Sequence, residues 1–344
     1  MPVQMQPTSI LPAWPVVGHE WAVALLARSA ATEQVRHAYL FTGPAQVGKT
    51  TLARAFAQAL NCQEVSPGKR PCGLCDSCRR LARDAHPDVR LIEPQGKGGR
   101  ELLIAQVRGI IHEAALSPLV GRRKVFIVRE VDRSNAPAMN ALLKTLEEPP
   151  PSVVLLLTSS SPERLLPTIV SRCQVLPLRP VAVHRIEEML QARGADKERA
   201  RLLARLADGR PGWALTALAD EGIWQRRQEW LDDLSHLLGQ DRTERLAYAE
   251  QMAARVQDAP EMLALWASWW RDLLLWQQGC PEMITHVDRR EALTAQAERL
   301  PPNQVRRCLT ALAAASQYLE QNVNPRLVCE SLLLHLPRLE AQPV

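Results

Sequence analysis

Residues Gly43–Thr50 read G-P-A-Q-V-G-K-T, and the type at each key position suits the binding of phosphate. Glycines at 43 and 48 let backbone N–H groups turn inward on phosphate oxygens, at a helix N-terminus that favours negative charge. Lys49 would reach the β and γ phosphates, and the Thr50 hydroxyl would ligate Mg²⁺. With Thr51 these residues form the candidate nucleotide-binding set. The flanks are what such a loop requires. Ala38–Thr42 is a short apolar run of strand length, and Thr51–Leu60 places Leu52, Ala55, Phe56, Ala59 and Leu60 on one helical face.

A second group of chemically capable residues follows at Cys62, Cys72, Cys75 and Cys78. Four thiolates at this spacing can close a tetrahedral Zn²⁺ site, with the C-x-x-C pair as its knuckle. Lys69, Arg70, Arg79, Arg80 and Arg83 stand near enough to offset the negative charge of such a centre. The same residues admit other readings: an iron–sulfur cluster, although its usual fourth ligand and proline are missing; free thiols; or a zinc site in which His86 replaces Cys62. A closed zinc site has no open coordination position, so the expected role is structural.

Nothing else in the composition points away from a soluble globular chain. Of its 344 residues 46% are hydrophobic and 23% charged, too many residues for one ordinary core, so two or three domains are expected. A net charge of +5 permits nucleic-acid contact without arguing for it. No signal-peptide pattern and no apolar run of membrane-spanning length is visible, so cytoplasmic residence is expected. In that compartment the eight cysteines would not pair as disulfides.

The elements that must position these groups can be read in order. Residues 1–13 form a lead-in without pattern. A helix begins within Val16–Glu20 and runs to about Ala31, with Trp21, Leu25 and Leu26 on its apolar side. Asp88–Glu93 reads as a strand, Gln95–Gly99 as an exposed loop, and Ile104–Leu116 as a helix. Lys124–Val128 is a continuous apolar strand of the kind buried in a parallel sheet. A helix over Ala136–Glu148 carries Met139, Leu142, Leu143 and Leu146 at helical spacing and is stopped by Pro149–Pro151. Ser152–Thr158 and Gln174–Leu178 are further strands. Strands then cease. Val181–Arg193, Lys197–Ala207 and Gly212–Ala219 make a three-helix unit, and the chain reads helical to Pro337. Trp266, Trp269, Trp270 and Leu273 line one stripe there, either bundle core or a partner-facing patch.

Strands alternating with helices around a phosphate loop give an α/β sheet with nucleotide at the strand C-terminal edge. Hydrolysis further needs a carboxylate at the end of a second strand to hold Mg²⁺, and another to orient water. The strand Lys124–Val128 should supply both. It is followed instead by Arg129, which cannot ligate a metal, then by Glu130 where the water-orienting carboxylate would stand. Asp132 is expected beyond reach. Fast hydrolysis is therefore not expected, although Lys49 and Thr50 could hold a nucleotide. Arg129 could fill the Mg²⁺ position and pair with Glu130 or a phosphate.

From about Trp14 to Leu336 the chain resembles the bacterial clamp-loader ATPase family, most closely its delta-prime members. The resemblance rests on W-P-V-V-G-H-E (14–20), H-A-Y-L-F-T-G-P-A-Q-V-G-K-T (37–50), the four cysteines, H-P-D (86–88), N-A-L-L-K-T-L-E-E-P-P (140–150), T-I-V-S-R-C (168–173) and N-V-N-P-R-L (322–327). It implies an α/β AAA+ domain over residues 1–178 with a zinc module at 62–78, an all-α lid over 179–222, and an all-α collar over 223–344. It also implies a hetero-pentamer with gamma/tau and delta subunits that acts on a sliding clamp and primed DNA. Arg172 of the S-R-C run would act in trans on a neighbour's γ-phosphate, the alternative being a local salt bridge. A motor member should carry Asp-Glu where Arg129-Glu130 stand, and a lid arginine where Gly212 falls. These departures imply a stator-like member, the alternative being a gamma/tau-like motor or another DNA-processing ATPase of the same type. Paired carboxylates for polymerase chemistry are not present; that activity would belong to the holoenzyme.

Overall fold

The computed structural model describes residues 14–96, 101–321 and 323–339. The expected lead-in at 1–13, and the expected loop from residue 97 to 99, lie outside the described residues. The chain forms two compact units, one reaching to Met189 with Gly209–Trp213 added, the other comprising Leu190–Asp208 and the chain from Ala214 onward.

The first unit is built on five parallel strands: β1 (Ala38–Thr42), β2 (Val89–Ile92), β3 (Lys124–Val128), β4 (Val153–Ser159) and β5 (Gln174–Pro177), in spatial order β2-β3-β4-β1-β5. Strands β1, β3 and β4 are buried along their whole length, which is why they read as unbroken apolar runs. Their side chains alternate between two cores. Tyr39, Phe41, Val125, Ile127 and Leu156 face one side with Phe56 and Leu26, while Leu40, Phe126, Val128, Leu155 and Leu157 face the other with Val107 and Leu142. The helices supplying those partners are α1 (Glu20–Thr32), α2 (Lys49–Leu60), α3 (Asp76–Ala82), α4 (Ile104–Ala114), α5 (Ala136–Glu147) and α6 (Pro167–Val170).

One sequence expectation is corrected in α1. Its buried face is Ala22, Val23, Leu26 and Ala30, and Trp21 is 48% exposed. The helix starts only at Glu20, after Gly18 and His19 at positive φ. The buried stripe runs through Ala22, Leu26 and Ala30 at i, i+4 and i+8, with Val23 beside it, and Trp21 falls on its other, solvent-facing flank.

The helical remainder comprises α7 (Val183–Ala192), α8 (Lys197–Leu206), α9 (Pro211–Ala219), α10 (Glu221–Leu237), α11 (Arg242–Ala254), α12 (Ala259–Gln277), α13 (Arg290–Arg299), α14 (Pro302–Glu320) and α15 (Pro325–His335). Helix α12 is central to the second unit. Trp266, Trp269, Trp270 and Leu273 are buried in one cluster with residues of α10, α11, α13, α14 and α15, so the tryptophan stripe is core. Indole N–H groups need acceptors when buried. Trp266 Nε1 donates to the Trp230 carbonyl at 2.8 Å and Trp269 Nε1 to Gln296 Oε1 at 2.9 Å. Buried Arg245 closes the helix ends, donating to the carbonyls of Leu237 (3.0 Å), the last residue of α10, and of Leu336 (2.6 Å) and Pro337 (2.8 Å), just past α15. No helix among the described residues is long and apolar enough to cross a membrane.

Removing a fully buried indole tests this packing of the second unit. Trp266→Ala should lower its unfolding free energy by about 3–5 kcal/mol, read as a lower urea midpoint in far-ultraviolet circular dichroism. A midpoint unchanged from the parent protein would contradict it.

Candidate functional site

The phosphate loop lies between β1 and α2 at the C-terminal edge of the sheet. Its first glycine is obligatory on two grounds: Gly43 has φ +138°, and a Cβ there would stand 2.2 Å from the Leu178 carbonyl oxygen. Gly48, at φ +111°, leads into α2. Lys49 is the first residue of that helix and is buried, yet its ammonium is fully engaged. Nζ donates to the carbonyls of Gly43 (2.6 Å) and Pro44 (2.7 Å), and to Ser160 Oγ (2.9 Å) just beyond β4. His19 Nε2 lies 3.1 Å from the Val47 carbonyl and ties the chain before α1 to the loop. Burial pulls the Lys49 pKa down to about 8, against the opposing pull of the Asp132 and Glu130 carboxylates. Thr50 is half-buried and Thr51 exposed at the same helix start.

The end of β3 departs from two expectations. Asp132 is not remote: its Oδ1 accepts the Ser160 N–H at 3.2 Å, and its charge acts on Lys49 more strongly than that of Glu130. The reason is a turn of left-handed backbone at Glu130 (φ 49°), which starts a short 3₁₀ segment, Val131–Arg133, and carries Asp132 back toward β4. Glu130 itself pairs with Arg133 at 3.0 Å, while its N–H donates to Thr158 Oγ1 at 3.0 Å. Arg129 does not reach toward Glu130 or the loop. Its guanidinium pairs with Glu93, beyond the end of neighbouring β2. Gly212 approaches the loop closely, its N–H donating to the Gln46 carbonyl at 2.9 Å, and a Cβ at 212 would stand 2.9 Å from that same oxygen. An arginine at 212 is incompatible with this approach.

The four cysteines converge. Their sulfur atoms all lie within 4.8 Å of one another, with Cys62–Cys75 and Cys72–Cys78 at 4.0 Å. A tetrahedral zinc with bonds of about 2.3 Å separates its sulfurs by about 3.8 Å, whereas a disulfide needs about 2.05 Å. Backbone N–H groups of Cys72 (to Cys62 Sγ), Cys75 (to Cys72 Sγ) and Cys78 (to Cys75 Sγ) each point at a sulfur at 3.4 Å, an arrangement that suits thiolates around a cation. His86 is not a ligand. Its Nδ1 accepts the Asp88 N–H at 3.1 Å, so Nε2 carries the proton and donates to Ser77 Oγ at 3.1 Å.

Two residues beside the cysteines tie them to the sheet. Asn61 exchanges both side-chain hydrogen bonds with the Arg123 backbone, at 2.9 and 3.0 Å. Buried Asp88 accepts N–H groups from Leu119, Val120 and Gly121 at 2.7–2.8 Å. Burial raises the Asp88 pKa, but these three donors outweigh it and leave the carboxyl below its ordinary value.

Arg172 lies in the turn after α6. Its Nη1 donates to the Thr168 carbonyl at 3.1 Å, its Nη2 pairs with Glu147 Oε1 at 2.9 Å, and the side chain is partly exposed. Ser160, His19 and Glu147 are the site residues that the sequence did not single out, whereas Asp132 was expected beyond reach. Ser160 had a signal: it lies in the serine run that ends an apolar strand. Glu147 had none beyond membership of the N-A-L-L-K-T-L-E-E-P-P run.

Comparison with known proteins follows the same two-part layout. A family model described as "DNA polymerase III, delta subunit" matches residues 18–182, and one described as "DNA polymerase III, delta subunit, C terminal" matches 221–337. DNA polymerase III subunit delta' of Pseudomonas aeruginosa is 38% identical over 226 residues, 64% of this chain and 67% of that protein. The chain belongs to the delta-prime family of DNA polymerase III clamp-loader subunits. The Bacillus subtilis delta' subunit is 29% identical over 319 residues, covering 91% of this chain and 94% of the relative. The tau subunit of Escherichia coli is 37% identical over 214 residues, 60% of this chain, and this match spans about a third of tau's length (32%). The five-stranded parallel sheet and the helical C-terminal region are the two parts that these two family models cover.

The buried ammonium gives a direct check on the site. In ¹³C-labelled protein the Lys49 side chain should titrate near pH 8, and Asp132→Asn should move that midpoint lower, because a carboxylate that favours the charged form is gone. A midpoint at the ordinary lysine value would show that the ammonium is not held as described.

Proposed function

We propose that this chain is the stator-like member of a clamp-loader ring containing gamma/tau and delta subunits, which sets a sliding clamp on primed DNA during replication. In this reading it supplies Arg172 to the nucleotide of a neighbouring subunit and does little hydrolysis of its own. The observation that carries the reading is Arg129. At the end of β3, where a motor needs a metal-binding carboxylate, a guanidinium stands and is paired to Glu93. Glu130 is drawn to Arg133, which further weakens it as a water-orienting group.

The loop itself is well formed, which supports nucleotide binding. Lys49, held across the loop by two carbonyls, could exchange its Ser160 bond for a phosphate oxygen, with Gly43, Gly48, Thr50 and Thr51 around it. Mg²⁺ would depend on Thr50 and on Asp132, the carboxylate nearest to acting on Lys49. This same observation favours the second reading, a gamma/tau-like motor. For the cysteine cluster, zinc fits the sulfur spacing and the N–H groups aimed at the sulfurs, and its role would be to brace the segment between α2 and β2. The three-part division at residues 178 and 222 remains our assignment of AAA+ domain, lid and collar.

The decisive experiment compares ATP turnover of a clamp loader reconstituted with gamma/tau, delta and this chain, on clamp and primed DNA. Arg172→Ala should cut turnover by about 10³-fold at the site it serves, while Lys49→Ala should change it little. If Lys49→Ala is the damaging change and the isolated chain hydrolyses ATP, the motor reading replaces the stator one. Elemental analysis of the purified chain should give zinc in equimolar amount, lost in Cys78→Ser.

A further inference from the structure

An arginine that must reach another subunit's phosphate has to lie at the surface, so core packing cannot hold it. Its long side chain loses much rotational freedom when it engages, and any group that fixes it beforehand reduces that loss. In this chain the guanidinium of Arg172 is fixed at both of its terminal nitrogens. Nη1 donates to the Thr168 carbonyl at 3.1 Å, within the same turn, and Nη2 pairs with Glu147 Oε1 at 2.9 Å, from a different helix. Glu147 is the last residue of α5, which the following prolines terminate, so its backbone position is well determined. An exposed ion pair of this kind adds little to stability. Its effect is geometric: it fixes the plane of the fork while leaving other guanidinium N–H groups for an incoming oxygen.

We propose that Glu147 is a positioning residue for Arg172, holding the guanidinium in the orientation in which a neighbouring subunit's nucleotide meets it. This rests on the reading of Arg172 as an arginine that acts in trans. Thr168 supplies the second anchor through its backbone, so it cannot be removed by a side-chain change, and Glu147 is the anchor that substitution can test.

The test uses the reconstituted clamp loader with clamp and primed DNA, at saturating concentrations of this chain. Glu147→Ala should lower kcat roughly tenfold with KM for ATP unchanged, within the loss of up to about a hundredfold that misplacing a reacting group causes. Glu147→Gln, which keeps an acceptor oxygen, should recover most of that loss. In an Arg172→Ala background, Glu147→Ala should cause no additional loss, since it acts only through Arg172. Three results overturn the proposal: turnover of Glu147→Ala equal to or above the parent, a loss that disappears as more chain is added, or an added loss in the Arg172→Ala background. If Arg172→Ala alone leaves turnover unchanged, the trans-acting role of Arg172 falls first and the role of Glu147 with it. A changed thermal midpoint in Glu147→Ala with parental kcat also counts against it, since it would leave the residue a purely structural part.

Discussion

A buried ammonium must find acceptors, and the architecture around the phosphate loop follows from how Lys49 finds its own. Two acceptors are carbonyls of the loop in which it lies, so the side chain folds back and fixes the loop's curvature. The third is Ser160, which exists at that place only because β4 runs beside β1 in parallel and ends level with it, Thr42 opposite Ser159. Asp132 in turn holds the Ser160 N–H, drawing the end of β3 into the same small volume. The middle of the sheet is largely apolar, so its buried polar groups gather at the strand ends, where backbone groups need partners.

Little hydrolysis is proposed for this chain because of how the charged groups of that edge are engaged. Lys49 is positively charged near neutral pH despite its burial, and the carboxylates of Asp132 and Glu130 help keep it so. A motor would use carboxylates at the end of β3 for metal and water. In this chain Glu93 engages Arg129, Arg133 engages Glu130, and one oxygen of Asp132 accepts a backbone N–H. Each of these pairings is modest alone, and together they tie the charged groups of this edge to one another and to the backbone.

How much of this could be read beforehand depends on how local each determinant is. The loop, its strand and its helix were legible because glycine, lysine and apolar periodicity act within a few residues. The cysteine cluster was legible for the same reason, although choosing Cys62 over His86 required seeing that both imidazole nitrogens are engaged. Trp21 was misplaced because periodicity gives a helical face but not the tightness of packing against α2. Asp132 was dismissed by counting residues along an extended chain, whereas left-handed backbone at Glu130 shortens the path. Glu147 and Ser160 depend on elements far apart in sequence that no pattern links.

The residues H-P-D and the asparagine before the first cysteine couple the cysteine module to the sheet at two points. Asn61 grips the backbone of Arg123, immediately before β3, and Asp88 grips Leu119–Gly121 a few residues earlier, while His86 joins Asp88 to Ser77 between two of the cysteines. The cluster is therefore wired in series with the strand whose far end carries Arg129 and Glu130. Disturbing the sulfur centre would not unravel a detached appendage. It would act on the entry to the third strand, through the hydrogen bonds of Asn61, Asp88 and His86.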